Sequence, residues 1–343
     1  MTKAPKQLRW LIAHQPAYLF VRTAKAFAEE LEKRCPGDFE IEILTMKDYI
    51  QKYGDIPEMR IKPGNVRGIE EGDNGSNGVF IPSEWKDIKV KWKAVFDGLR
   101  NEKFHLSQTQ ITVIGGFLDQ TFSTLDLPFL FKDHDHVSRV LDGDIGNRLL
   151  DNIGEKTGIK GLGFTYSGGY RIVGSNHEIE NLSKLKTVNI TTIPMTKDFF
   201  KNFSRNSESR ANQTIEEIAQ NIDNGGAIET TYLRFSGKNI LKTNHSMFLT
   251  SILVGGEFFD SLTEHQKKSF LESAKIVSKL ERKWSLEDAE KYEKESEQKG
   301  IKIISLEDSD IYQLETAAKE VYKKENLENL GIDPLLVDKI MKS

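Results

Sequence analysis

The chain carries a single cysteine, Cys35, in 343 residues, so an internal disulfide and a cysteine-based metal cage are both excluded. It has no run of about 18 apolar residues, which excludes a membrane-spanning helix. An excess of one charge is also missing: Lys+Arg 48 stand against Asp+Glu 52, a net charge of -4. No basic surplus therefore recruits nucleic acid or anionic lipid. The common chemical signatures are absent as well. There is no GxxxxGK(S/T), no GxGxxG after a strand, no GxSxG and no HExxH. The usual nucleotide, hydride and hydrolase readings thus lose their anchors. The opening residues, Met1 to Lys6, lack the apolar core of a secretory signal. Either the protein is cytoplasmic or these are mature residues after removal of a leader.

What is present fits a folded, water-soluble chain. The composition is 38% hydrophobic, 29% charged and 9% aromatic, and the mean hydropathy is -0.48. The length suffices for two domains. Leu8 to Ala13 reads as a strand, and Ala24, Phe27, Ala28 and Leu31 recur at helical spacing. Phe39 to Thr45 alternates as a second strand, which gives strand-helix-strand order and α/β layering. Residues 54 to 86 are rich in Gly and Pro and read as a long loop. A helix period resumes over Trp85 to Leu99, and a strand is predicted over His105 to Ile114. Leu262 to Tyr292 is the strongest helix signal, with a stripe of Phe270, Ala274, Val277, Leu280 and Trp284. Thr263 and Gln266 form a capping box at its start. Glu-to-Lys pairs such as Glu287/Lys291 mark a solvated face beyond it, for a helix of about 35 residues, roughly 50 Å long.

Several residues could carry chemistry. Asp133-His134-Asp135-His136 holds metal-ligand types, but it precedes a helical run, where an Asp caps free N–H groups. Asp73, Gly75, Asn77, Gly78, Phe80 and Glu84 match a calcium loop only in part, since the third position lacks an oxygen side chain. Arg171 follows a Gly-Gly turn and opens an apolar strand. It either grips an anionic ligand with its planar fork or pairs with a structural carboxylate. His14, Gln15 and Pro16 lie at the carboxyl end of the first strand, where open α/β sheets bind ligands. Gln108 and Gln110 share one face of their strand and either meet a ligand or bond internally.

A set of motifs, in order, then resembles the solute-binding proteins of tripartite ATP-independent periplasmic (TRAP) transporters. They are Leu125-Asp126-Leu127-Pro128-Phe129-Leu130-Phe131, Val140 to Gly143, Gly161 to Phe164 and Gly169-Tyr170-Arg171. Leu182 to Lys186, Gly226 to Thr230, Thr243 to Ser246, Phe258 to Gln266 and Ala317 to Tyr322 continue the match. The resemblance implies an α/β fold of two lobes, a clamshell like other periplasmic binding proteins, braced by a long C-terminal helix. The expected division is 1–124 plus 215–254 as lobe I, 125–214 plus 255–300 as lobe II, and 301–343 packed across both.

The resemblance also implies a role. The protein would capture a small organic acid by hinged closure, without catalysis, cofactor or metal, and deliver it to membrane permease subunits. It would be a periplasmic monomer whose leader is missing from this sequence, with no nucleic-acid partner. The family's Gly-x-Arg arginine falls on Arg171. Its second arginine is replaced here by Asn189, so either Arg67, Arg205, Arg210 or Arg234 substitutes or the ligand is less acidic. Glu229, Thr230, His14, Gln15, Gln108 and Asn244 complete the expected ligand shell. An ionised Glu229 would have to be neutralised, face an amine, or point away. The alternative is a cytoplasmic enzyme on a small carbonyl or sugar substrate, using Glu229, His14 and the Asp133–His136 cluster.

Overall fold

A computed structural model describes residues 4–14, 17–54, 88–213, 215–234 and 237–343. The Gly-rich stretch and the partial calcium loop lie outside the described residues, as do Gln15 and Arg67. Strands β1 (Lys6–Ile12), β2 (Phe39–Thr45), β3 (Leu106–Gln110), β4 (Ile159–Tyr170) and β10 (Met247–Gly255) form one sheet in the order β2-β1-β3-β10-β4. Strands β5 (Ile172–Ser175), β6 (Asn189–Thr192), β7 (Asn206–Ser209), β8 (Ala227–Thr230), β9 (Asn239–Lys242) and β11 (Lys302–Ser305) form a second, in the order β11-β9-β5-β8-β6-β7.

The helices that cover the first sheet are α1 (Ala17–Arg34), α2 (Met46–Tyr53), α3 (Ile88–Arg100), α4 (Ile111–Phe117), α5 (His134–Leu141) and α6 (Asp144–Thr157). Around the second sheet run α7 (Leu182–Leu185), α8 (Lys197–Phe200) and α9 (Ile215–Asp223). The chain then continues through α10 (Gly256–Asp260), α11 (Glu264–Gln298), α12 (Asp308–Val321), α13 (Lys324–Asn329) and α14 (Pro334–Met341).

The expected first helix forms because Phe20, Ala24, Phe27 and Leu31 make one buried stripe, which packs with Leu8, Trp10 and Phe270. The β1/β2 pairing is parallel, with Leu8 opposite Ile41. The sheets divide the chain at other points than the sequence suggested. Residues 159–170 belong to the first sheet, while 227–230 and 239–242 belong to the second. The chain passes between sheets at Tyr170–Ile172 and again at 243–246, and Arg171 N–H donates to Ser246 O at 2.8 Å. The two crossing segments are thus bonded to each other.

Two expected elements differ in detail. The strand predicted over His105 to Ile114 ends at Gln110, and Ile111–Phe117 is helical. A short run such as Ile111 to Ile114, apolar except for Thr112, suits either state, and here the chain must turn at the end of its sheet. The long helix has its capping box at Thr263 and Gln266, and it runs for 35 residues. Its buried face departs from the predicted stripe after Val277. Leu280 is exposed, while Glu281, Arg282 and Ser285 are buried. The reason lies in β4, an edge strand whose outer backbone groups need partners. Arg282 Nη1 donates to Phe164 O at 2.8 Å, and Glu281 Oε2 accepts from Tyr166 N–H at 2.7 Å. Ser285 Oγ accepts from Gly168 N–H at 2.6 Å. Farther on, Lys242 pairs with Glu293, and Tyr292 packs with the Ile172 and Ile240 cluster. One helix therefore braces both sheets.

The C-terminal helices reach back across the chain. Gln120 donates to Leu330 O, His136 Nε2 meets Ile340 O at 2.8 Å, and Tyr322 bonds Pro128 O. Asp133 caps α5 by accepting from His136 N–H at 2.6 Å, as its position before a helical run suggested. Among the described residues no cluster of His, Cys, Asp and Glu has the grouping of a metal site.

Candidate functional site at the crossing of the two sheets

Both sheets turn carboxyl ends toward the crossing. Strands β1 and β3 do so on one side, and the parallel strands β6, β7 and β8 on the other. Such ends are where open α/β sheets place ligands. Arg171 occupies the step between β4 and β5 and is 1% exposed. Its Nη2 donates to Asp126 Oδ1 at 3.2 Å and to Thr112 Oγ1 at 3.3 Å. Its Nε lies 3.6 Å from Glu229 Oε1. The guanidinium also stacks on Phe248, with 4.2 Å to the ring centroid. Asp126 and Thr112 come from the first-sheet side, and Glu229 from β8 of the second. One side chain thus ties the two sheets.

Glu229 is fully buried and well partnered. Its Oε2 accepts from Ile193 N–H at 2.8 Å and from Thr196 Oγ1 at 2.6 Å. Its Oε1 lies 3.2 Å from His245 Nε2, and His245 Nδ1 lies 2.8 Å from Thr243 Oγ1. Burial alone would raise the Glu229 pKa, but the His245 bond and charge, with Arg171 and Arg210, outweigh it and hold the carboxyl at about 2. Asp126 behaves oppositely. Burial raises it, and Arg171 with the 2.6 Å bond from Thr112 only partly offsets that. The contrast follows from partner number, since Glu229 has several donors beyond the arginine it shares. The requirement that Glu229 be neutralised is met by these cations and donors.

His14 is buried and joins the cluster through Phe248, with ring centroids 5.8 Å apart. Gln108 is buried deeper in the first sheet, where its Nε2 donates to Thr165 Oγ1 at 2.7 Å and Thr250 Oγ1 at 3.3 Å. Internal bonding therefore accounts for its amide nitrogen. Thr230 is buried beside Glu229, opposite Ile172. The remaining expected residues stand apart. Asn189 opens β6, where its Oδ1 accepts from Arg205 Nε at 3.0 Å on an exposed surface. Asn244 is exposed, with a left-handed φ of 44° that fits a turn.

Of the cations considered as substitutes at position 189, Arg205 is spent on that surface bond. Arg210 reaches inward from the turn after β7. Its Nε donates to Thr192 O at 3.4 Å and its Nη2 to Glu229 O. Burial lowers its pKa to about 10. Sequence reading overlooked Asp126, Thr112, Thr196 and Phe248 as site residues. Asp126 lay inside a quoted motif, but nothing in its neighbours marks it as the partner of a residue 45 positions away.

Two α/β sheets joined by crossing segments, a polar cluster between them and a bracing helix define a solute-binding clamshell. The chain belongs to the bacterial extracellular solute-binding protein family 7, whose signature matches residues 89–328. It is 23% identical over 227 residues to the 2,3-diketo-L-gulonate-binding periplasmic protein YiaO of Escherichia coli (strain K12), a match covering 62% of this chain and 67% of that protein. Among solved structures, it superposes on the sugar acid binding protein DctPAm from Advenella mimigardefordensis in complex with galactonate. The TM-score is 0.71, with 18% identity over 99% of this chain and 97% of that one. A TRAP periplasmic solute-binding protein from Shewanella oneidensis with bound succinate gives a TM-score of 0.71 and 17% identity, covering 99% of each chain. At such identities the structures establish the fold, and the fold is that of TRAP solute-binding proteins. No helix among the described residues is long and apolar enough to cross a membrane.

Proposed function

We propose that this protein is the periplasmic binding component of a TRAP transporter, capturing a small organic acid by hinged closure and delivering it to membrane permease subunits. The observation that carries the reading is the placement of Arg171, whose guanidinium joins Asp126 and Thr112 on one sheet side to Glu229 on the other. A ligand in that gap would favour the closed state by bonding groups from both lobes at once. Related proteins point to the ligand class: one is named for 2,3-diketo-L-gulonate and another is solved with galactonate. A sugar acid, monocarboxylate or related anion is the class proposed here. Closure around Arg171 excludes water, which strengthens every charge-assisted bond inside. Micromolar capture corresponds to about 8 kcal/mol of binding free energy.

The test is a thermal-shift screen across organic acids, amino acids and neutral polyols, followed by calorimetry. Small-angle scattering with the best binder should show compaction. Binding of neutral polyols alone, or an unchanged radius on saturation with an acid, would overturn the reading.

A further inference from the structure

We infer that Arg210, rather than Arg171, makes the charged contact with the ligand, and that the ligand carries one negative group on a hydroxylated frame. This rests on the proposed function and narrows it. Arg171 is enclosed: Asp126 and Glu229 face it within 4 Å, Phe248 covers its plane, and it is 1% exposed. Its charge is met inside the protein. Arg210 differs in each respect. It is half-buried, and both of its bonds go to neutral backbone oxygens, those of Thr192 and Glu229. No carboxylate among the described residues lies within ion-pair distance of it, and its Nη1 bonds to no described residue. It is held at the carboxyl ends of β6 and β8 by those two carbonyls, so its orientation is fixed before a ligand arrives.

A guanidinium taken partly out of water with no carboxylate at ion-pair distance favours an anion in reach of its free edge. Burial also weakens its hold on its proton, and the more distant charges of Glu229 and Asp126 offset this only in part. Of the other buried polar atoms near the crossing that lack a hydrogen bond, Arg171 Nε faces Glu229 Oε1 at 3.6 Å. Thr231 Oγ1 and Ser246 Oγ, both neutral, are buried without a hydrogen-bond partner. Neutral groups of that kind suit hydroxyls and leave a second carboxylate without a cation. A monoanionic polyhydroxy acid therefore fits better than a dicarboxylate.

The experiment is calorimetry on the full chain with galactonate, D-glucuronate and succinate, for the wild type, Arg210→Gln and Arg210→Lys. At least one of the two monoanions should bind more tightly than succinate. Arg210→Gln should lower that affinity by about tenfold or more, the loss of one charge-assisted bond. Arg210→Lys should fall between, because it keeps the charge but loses the planar fork. Thermal unfolding checks that each variant folds, and if Arg210→Gln does not, Arg210→Lys decides alone. Wild-type affinity in a folded Arg210 variant, or a preference for succinate, overturns the inference while leaving the acid-binding reading intact. Failure of the wild type to bind any of the three acids counts against the functional reading itself.

Discussion

Replacing Glu281 with glutamine isolates one buried carboxyl on the bracing helix. Glu281 is 0% exposed and uses Oε2 to accept from Tyr166 N–H, while its Oε1 has no hydrogen-bond partner. No hydrogen bond from a described residue stabilises a negative charge on that oxygen. Burial dominates, and the Tyr166 bond and the charge of Arg282 offset it only in part, so the pKa is pushed from 4.5 up to about 8. Its other charged neighbours are Asp288, which raises it further, and Arg22, which lowers it.

The sign follows from proton binding. Between pH 4.5 and about 8 the folded protein keeps a proton that the unfolded chain releases. The stabilisation is complete below the unfolded pKa and is lost as pH rises through the folded one. At about 1.4 kcal/mol per pH unit the loss sums to roughly 4–5 kcal/mol. Glutamine has nearly the same shape and can accept the same N–H, but it does not titrate. Urea denaturation of both proteins from pH 5 to pH 9 should therefore show stabilities that diverge, with Glu281→Gln the more stable above pH 7. All other titrating groups are shared, so the difference curve reports this residue. Parallel curves for the two proteins over that range would refute the reasoning.

Other perturbations test separate parts of the structure. Arg171→Ala should destabilise by about 3–5 kcal/mol in denaturant unfolding, because it strands Asp126 and Glu229 in the interior. Adding Asp126→Asn should recover part of that loss, and a single-variant loss below about 1 kcal/mol would contradict the enclosed pairing. Glu229, held at about 2, contributes stability above the usual carboxylate pKa that disappears as pH falls toward 2. Glu229→Gln should flatten the acid limb of the stability profile below about pH 4, and an unaltered limb would argue against its charge. Thr263→Ala removes the capping-box hydroxyl from α11 and should cost about 1 kcal/mol by the same unfolding assay. Asn244→Gly should be neutral or stabilising, whereas Asn244→Val should destabilise by about 1 kcal/mol, since φ there is 44°.

The elements that sequence made legible are those whose burial is one-sided. The α1 stripe reports a single buried face, the alternating Phe39, Ile41 and Ile43 pack on the same cluster as that stripe, and the capping box marks the α11 start. The misreadings fall where local pattern ceases to decide. Ile111, Val113 and Ile114 are buried on both faces of a would-be strand, so period carries little information there. Leu280 looked like core and is exposed, because the edge of β4 requires polar side chains from the next turn of the helix. The sheet boundaries were missed for a related reason, since strand partnership is set by pairing far along the chain. At the site, Arg171 and Glu229 were both singled out as ligand-binding, and the structure brings them within 3.6 Å of each other. Asn189 was chosen by alignment to a motif, whereas the structure directs it to Arg205 at the surface. Arg210 is conspicuous only in three dimensions, because it lies 39 residues from Arg171 and 19 from Glu229.

The polar trio that α11 presents to β4 has a consequence for how this molecule meets its neighbours in a crowded compartment. A bare strand at the margin of a sheet is an adhesive template for foreign chains. Here Phe164, Tyr166 and Gly168 are already claimed by a guanidinium, a carboxyl and a hydroxyl of the same polypeptide. Side chains have taken the place of one more strand there, and that stretch of the margin is closed to intruding segments.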